Sequence, residues 1–243
     1  MKKYLALFIG LILLAMTGMV NAWWNPARGA GVSVAAPVEY TVYITENTTD
    51  FNSITFSAIT AYTGVSDTHI KEGAATTNYA TASPIEATYW ASNDRTTALI
   101  KFTGLSNIPS GATVTSVELG INSYGTVDAT ATVNRVLPNW VVAQATWNIY
   151  STGNNWGTAG AESSGTDYSA TTTDSWTCLG ASQYWVTLTA NQLKTDVQGM
   201  IDGTYSNYGW KFTGGGGGSK VLSIISSEGE NGTRPYLKVV YDY

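Results

Sequence analysis

The alternation of apolar and polar residues predicts β-strands through most of the chain. In residues 98–102, Ala98, Ile100 and Phe102 share one face of a strand, while Leu99 and Lys101 share the other. Turn-forming Gly, Pro, Asn and Ser residues separate this stretch from the others of its kind. The further strand-like stretches are 40–44, 54–61, 114–121, 131–137, 184–188, 208–212, 221–225 and 236–241. The pattern predicts an all-β fold.

One segment follows helical spacing instead. Thr189 is a suitable N-cap and Gln192 stands three residues later, which is typical of a capping box. Gly203 is expected to end the helix. The apolar stripe of this helix consists of Leu193, Val197, Met200 and Ile201. We therefore predict a jelly-roll-like β-sandwich over residues 54–243 with one short helix, preceded by an N-terminal extension or edge strand at 23–53.

The first 22 residues have the order of a secretory signal peptide. Lys2 and Lys3 precede an apolar run over residues 5–20, and Val20-Asn21-Ala22 is a small-x-small cleavage site before Trp23. The run is shorter than the roughly 20 residues needed to span a bilayer. We predict export to the cell surface or the extracellular space, with no membrane span in the mature form.

Charge and cysteine usage narrow the classes of partner. The net charge is −5, and without Lys2 and Lys3 the chain has 10 basic and 17 acidic residues, a net charge of −7. Nucleic acid is an unsuitable partner, because phosphate binding needs clustered Lys and Arg. Cys178 is the single cysteine, so no disulfide can form within the chain. We expect Cys178 to be a small buried hydrophobe.

Residues that could support catalysis are sparse. His69 is the single histidine, and no G-x-S-x-G nucleophile motif is present. The acidic residues show no pattern that marks a glycosidase pair. We therefore predict no enzymatic activity and no required cofactor. A structural calcium ion stays open as an alternative, with Asp67, Asn78 and Asp167 as the candidate ligands.

Ordered motifs over residues 67–243 resemble one known family. The most specific stretch is Arg135-Val136-Leu137 with Trp140, followed by Ala145-Thr146-Trp147-Asn148 and Trp156-Gly157-Thr158. The other motifs are DTHI at 67–70, TNYA at 77–80, RTTALIKF at 95–102, IP at 108–109, ATV at 112–114, DY at 167–168, the helix at 189–203, SNYG at 206–209, SSE at 226–228 and RPYL at 234–237. This order is similar to that of the DNRLRE domain, also described as the disaggregatase-related domain and carbohydrate-binding module family 96.

The resemblance implies a jelly-roll β-sandwich and a non-catalytic module of secreted and cell-surface proteins. Some members that bind acidic polysaccharides carry Lys or Arg on the strand before the one equivalent to residues 95–102. Here that strand reads IEATYW over 85–90, with Glu86, Tyr89 and Trp90 in those places. The departure favours neutral or mildly acidic polymers over alginate-like ones.

The composition includes nine Trp and 15 Tyr. We expect Trp140, Trp147 and Trp156 to be packing residues, since sandwich cores also use aromatic side chains. Tyr89 and Trp90 are adjacent in a predicted strand, so they should point to opposite faces. If Tyr89 joins Ile85 in the core, Trp90 lies on the open face. The predicted carbohydrate-binding residues are Trp90, Arg95, Lys101 and Arg135, and the alternative is an ordinary solvated face.

The sequence thus predicts a secreted carbohydrate-binding module that recognises extracellular or cell-surface polysaccharide. A second class is a structural protein, such as an adhesin or sheath subunit, that self-associates through β edges. A polysaccharide hydrolase or lyase is the third.

Overall fold

The structure is a computed structural model. It describes residues 64–89, 94–215, 220–230 and 232–242 in full, and the backbone of four strands before residue 58. The predicted signal peptide lies outside the described residues except for positions 20–22, and Trp90 also lies outside them.

The larger sheet contains nine antiparallel strands. They are β1 (Val20–Asn25), β2 (Gly29–Ala35), β3 (Thr41–Thr45), β4 (Phe51–Ser57), β6 (Ile85–Glu86), β8 (Thr113–Gly125), β13 (Tyr184–Leu188), β15 (Leu222–Ile224) and β16 (Tyr236–Asp242). The strand order is β1-β2-β3-β4-β16-β8-β15-β6, and β13 also pairs with β8. The central strand β8 thus pairs along one edge with β16 and β15, and along the other with β13.

The smaller sheet contains five antiparallel strands in the order β12-β9-β14-β7-β5. They are β5 (Val65–Lys71), β7 (Thr96–Phe102), β9 (Thr130–Val136), β12 (Tyr168–Thr177) and β14 (Trp210–Gly215). A short hairpin of β10 (Ile149–Ser151) and β11 (Asn154–Asn155) lies between β9 and β12 in the chain. Two 3-10 turns occupy Glu72–Ala74 and Leu105–Asn107.

The main core lies between the two sheets, so the predicted all-β sandwich is confirmed. Alternate residues of β7 enter this core: Ala98, Ile100 and Phe102 are fully buried in it. Leu99 is also buried, but in a separate cluster on the opposite face of the same sheet. Both faces of the five-stranded sheet are therefore covered, whereas the simple alternation predicted one covered face and one open face.

The predicted helix is present as α1 (Asn191–Ile201), with Leu193, Val197 and Met200 buried against the main core. The predicted capping box is wrong. The N-cap is Ala190, which has no side-chain cap, and the Gln192 amide instead donates to Asp196 one turn later. The backbone N–H of Ala190 is bound by Asp174 of β12, 3.0 Å away, so a neighbouring strand replaces the local cap.

The residues of the N-terminal extension form strands that continue the larger sheet. β1 pairs with β2, β2 with β3, and β3 with β4, which lies next to β16. The extension is thus part of the sheet plane.

Candidate functional site

A loop covers the outer face of the five-stranded sheet. We call residues 137–167, which connect β9 to β12, the covering loop. It buries Trp140, Trp147 and Trp156 against Leu99 and Ile70, as expected for packing tryptophans. The indole N–H groups donate within the protein: Trp140 to the Tyr208 carbonyl and Trp156 to the Thr146 carbonyl. This face is therefore an interior layer.

Arg95 joins the covering loop to the sheet. Its guanidinium donates to both carboxylate oxygens of Glu162 at 2.6 and 2.8 Å, and to Glu72 at 2.9 Å through two nitrogens. Its Cζ lies 5.3 Å from the ring centre of Trp147. The hydrogen bonds from Arg95 lower the pKa of Glu72. The planar guanidinium of Arg95, one of the predicted carbohydrate-binding residues, is thus already occupied by two carboxylates.

Two lysines on the same sheet face hold the covering loop in the same way. Lys101 donates to the Trp140 carbonyl at 2.9 Å and lies 4.6 Å from the ring centre of Trp140. Lys211 donates to the Ala161 carbonyl at 2.6 Å and lies 4.2 Å from the ring centre of Tyr168. Burial lowers the pKa of both amines, that of Lys211 to about 8. Lys101 is therefore a packing residue under the covering loop rather than an open contact.

Arg135 does not share a face with Arg95 and Lys101. It lies on the core side of β9, where its Cζ is 3.9 Å from the ring centre of Tyr205 and its Nε is 3.6 Å from Asp196 of α1. The predicted grouping of these cations on one open face is wrong. The sequence alternation already indicated this, because Arg135 lies an even number of positions from the core residues Ala131 and Val133. In a regular strand, all three side chains point to the same face.

Tyr89 is 42 % exposed and does not join Ile85 in the core, so the condition for placing Trp90 on the open face is not met. Regular strand geometry ends at Glu86. Thr88 then bridges to Thr96 of the smaller sheet, and Tyr89 bridges to Lys220. Since the chain changes partners here, strict alternation does not carry through to Tyr89.

Tyr89 stands at the edge of a groove of about 360 Å³. Hydroxyl groups, two glycines and one ion pair line it. The lining residues are Thr88, Tyr89, Arg95, Thr96, Thr97, Glu162, Thr213, Gly214 and Gly215, which we call the threonine groove. Because Arg95 is bound by Glu162 and Glu72, the threonine groove offers no spare positive charge.

Two hydroxyls of the threonine groove lack partners. Among the described residues, no group hydrogen bonds to Thr88 Oγ1 or Thr213 Oγ1. The others are used: Thr96 Oγ1 accepts the Thr88 N–H at 2.8 Å, and Thr97 Oγ1 donates to the Gly160 carbonyl. The Thr88 and Thr213 oxygens are both shielded from solvent, so they are unpaired groups within the wall and are not exposed in the threonine groove.

A second surface with aromatic rings, one exposed and one half-buried, lies on the outer face of the nine-stranded sheet. Tyr236 lies across Gly120 of the neighbouring strand, where any side chain would collide with its ring. Its hydroxyl donates to Glu118, and burial, followed by this hydrogen bond, raises the pKa of Tyr236 to about 12. Trp185 of β13 is 40 % exposed and its ring centre is 5.5 Å from that of Tyr236. We call Tyr236 and Trp185 the aromatic platform.

The sequence interpretation missed the aromatic platform, although the signal was present. Trp185 lies an odd number of positions from Val186 and Leu188, which are both core residues, so its side chain points to the outer face. Tyr236 likewise alternates with Leu237 and Val239.

A buried carboxyl group lies at the other end of the sandwich. Asp67 is 2 % exposed; its Oδ2 accepts the Ser227 N–H at 2.8 Å, and its Oδ1 has no hydrogen-bond partner among the described residues. Burial, and next the charge of Glu228, raise the pKa of Asp67 to about 7. His69 is buried on the same strand, stacked on Tyr79 at 4.3 Å. Burial, and next the charge of Lys71, lower its pKa to about 4.

The three candidate calcium ligands do not converge. Asp67 binds Ser227, whereas the Asn78 amide donates to two carbonyls of the covering loop at 2.8 Å. Asp167 accepts three backbone N–H groups at 2.7–3.0 Å, from Gly157, Thr158 and Ser163. The calcium site considered as an alternative is therefore not assembled by these three residues. Within the described ranges no group of three or more His, Cys, Asp or Glu residues is placed to hold a metal.

Cys178 is 1 % exposed, as expected for a buried hydrophobe. In the part of the chain that the structure describes, no helix is long and apolar enough to cross a membrane. No family model matches the chain, and no curated protein matches it.

Proposed function

We propose that this chain is a secreted, non-catalytic carbohydrate-binding module and that the threonine groove binds a neutral sugar segment of an extracellular or cell-surface polysaccharide. The single observation that carries the proposal is the threonine groove itself, open to solvent and lined by threonine side chains and an exposed tyrosine. The resemblance to the DNRLRE domain supports the same class.

The chemistry of the lining suits a neutral sugar. Sugar rings present C–H faces that pack on an aromatic ring, which Tyr89 offers at the edge. Their hydroxyls both donate and accept, as the hydroxyls of threonine side chains do. The ion pairs of Arg95 hold one wall in place before any ligand arrives, and a preformed wall lowers the entropic cost of binding.

Affinity electrophoresis in gels that contain neutral polysaccharides tests this proposal. Tyr89→Ala should weaken retention by about tenfold, since it removes the stacking surface. Tyr89→Phe keeps the ring and should retain binding.

Leu179→Ala is the surface control, because Leu179 is 75 % exposed and does not line the threonine groove. If wild type and Tyr89→Ala have equal mobility in every gel that retards the wild type, the threonine groove is excluded as the binding site. If no polysaccharide retards the wild type, the proposed carbohydrate-binding function is contradicted.

Self-association is the second candidate. The observation that favours it is the extension of the larger sheet by β1, β2 and β3, which places β1 at the end of the strand order; residues 23–25 of β1 follow the predicted cleavage site. An edge strand has unpaired backbone N–H and C=O groups along one side, so it can pair with a strand of another chain. Sedimentation velocity over a range of concentrations would show growing species if the module polymerises, and one unchanging species if it does not.

A further inference from the structure

Two lysines stand apart from the other cations. The remaining lysines and arginines of the described residues each donate to, or pair with, a carboxylate or carbonyl oxygen of the protein itself. Within those same residues, Lys194 and Lys238 have no hydrogen bond and no ion pair. Surface lysines are often unpaired, so this alone points to no ligand.

What distinguishes Lys194 and Lys238 is that they line the same depression. It has a volume of about 210 Å³ and lies where α1 meets the outer face of β8 and β16. Thr189, Asn191 and Glu118 line it as well. Two ammonium groups and one carboxylate leave a local excess of positive charge in a protein whose net charge is −5.

Glu118 connects this depression to the aromatic platform. It lines the depression and also accepts the hydroxyl of Tyr236, and it lies directly across from Lys238 in the register of β8 and β16. Tyr236 and Lys238 are two residues apart on one strand, so they share a face. Aromatic rings and unpaired cations are therefore continuous on one surface.

We propose that the outer face of the nine-stranded sheet binds an anionic sugar segment, with a uronic acid ring on Trp185 and Tyr236 and sugar carboxylates at Lys194 and Lys238. The inference rests on the proposed function only in taking a polysaccharide as the partner. It names a separate surface and a different chemical class of sugar from those of the threonine groove.

The two surfaces differ in available positive charge, so we expect them to bind sugars of different charge. In the threonine groove the cation is bound by two carboxylates, so a sugar anion gains nothing there. On the outer face of the nine-stranded sheet, neither ammonium group has a hydrogen bond or ion pair among the described residues, and the carboxylate beside them, Glu118, accepts the hydroxyl of Tyr236. A polymer that carries both kinds of sugar can then contact two faces of one molecule, and two polymer chains can be linked by it.

Isothermal titration of the full chain with pentagalacturonate, and separately with a neutral pentaglucan, tests the inference. Trp185→Ala and the double variant Lys194→Gln/Lys238→Gln should each weaken pentagalacturonate binding by about tenfold and leave pentaglucan binding unchanged. The wild-type affinity for pentagalacturonate should also fall as salt is raised, and this dependence should flatten in the double variant.

Lys71→Gln/Lys220→Gln is the matched control, since it removes the same amount of charge from lysines that already have partners. Trp185→Phe keeps an aromatic ring and should retain most of the affinity. Pentagalacturonate affinities of Trp185→Ala and Lys194→Gln/Lys238→Gln equal to that of the wild type would overturn the inference, as would a wild type that does not bind pentagalacturonate.

The two proposals can fail separately. Tyr89→Ala should impair pentaglucan binding alone. If Tyr89→Ala has no effect while the outer-face variants lose pentagalacturonate, the threonine groove is excluded and the inference stands. If Tyr89→Ala abolishes binding of both sugars, the outer face is not a separate site and the inference is overturned.

Discussion

Tyr236 lies flat across the backbone of Gly120, a position that leaves no space for a side chain at residue 120. The glycine thereby lets an aromatic ring rest on the sheet surface, with its hydroxyl bound to Glu118. The ring can then meet Trp185, which projects from the strand on the other side of β8.

Gly120→Ala should displace the Tyr236 ring and break its hydrogen bond to Glu118. We expect a loss of about 1–3 kcal/mol in the free energy of unfolding, as for other overpacked sites. Urea unfolding would measure it. Ser116→Ala on the same strand is the control, because Ser116 is exposed. If pentagalacturonate affinity stays at the wild-type value when the ring has moved, Tyr236 is not part of the binding surface.

Asp67 should make stability fall as the pH rises. Its pKa is raised from 3.8 to about 7, so the folded protein holds the proton more tightly than the unfolded chain does. This contribution to stability is fully present below pH 3.8 and is lost as the pH rises through about 7. Asp67→Asn stays neutral and should not lose it.

Urea unfolding of wild type and Asp67→Asn between about pH 4 and about pH 8 would test this. The difference in unfolding free energy should grow with pH in favour of the variant, by a few kcal/mol at most, since one pKa unit corresponds to about 1.4 kcal/mol. Asp202→Asn, at an exposed position, is the control. A difference that does not change with pH would contradict the raised pKa.

His69 should make the stability of the folded protein fall as the pH is lowered, which is the opposite of the effect of Asp67. Its pKa is lowered from 6.5 to about 4, so the folded protein binds the proton more weakly than the unfolded chain. The contribution is present above pH 6.5 and is lost as the pH falls through about 4. His69→Gln should therefore lose less stability on acidification than the wild type. Lys71→Gln should keep most of the wild-type loss, because burial is the larger cause of the shift. If the unfolding free energies of wild type and His69→Gln fall in parallel as the pH is lowered, the lowered pKa of His69 is contradicted.

Asp167 should be important for the order of the covering loop. Asp167→Asn replaces one acceptor oxygen by an amide that cannot accept the N–H groups of Thr158 and Ser163, or that of Gly157, depending on its orientation. We expect a loss of about 1–3 kcal/mol in unfolding free energy, the usual result of leaving buried donors unpaired. Denaturation followed by tryptophan fluorescence would measure it, with Asp202→Asn as the control. A variant as stable as the wild type would show that the loop is held by its other contacts.

Much of the fold could be predicted from the sequence, because two kinds of periodicity are visible in it. Alternation identified residues 98–102 and 184–188, and helical spacing identified the buried stripe of α1. β12 was missed: its sequence YSATTTDSWT is mostly exposed and lacks apolar alternation. It is a strand because it pairs with β9, a contact that no local pattern records.

The candidate sites were less predictable, for a related reason. Arg95 and Lys101 were correctly assigned to one sheet face, but the covering loop has no periodicity that shows which face it buries. Lys194 and Lys238 are 44 positions apart, and they come together only because α1 packs where β8 and β16 meet. Such proximity depends on tertiary packing.

The covering loop also has a consequence for local opening. Long irregular segments usually exchange their amide hydrogens first, since few contacts hold them closed. Here Arg95, Lys101 and Lys211 each bind the segment from the sheet beneath it. Opening it would expose three tryptophans and break the hydrogen bonds that these three cations make to it. Its amides should therefore exchange with the slow sheet residues, as one cooperative unit with the strands that it covers.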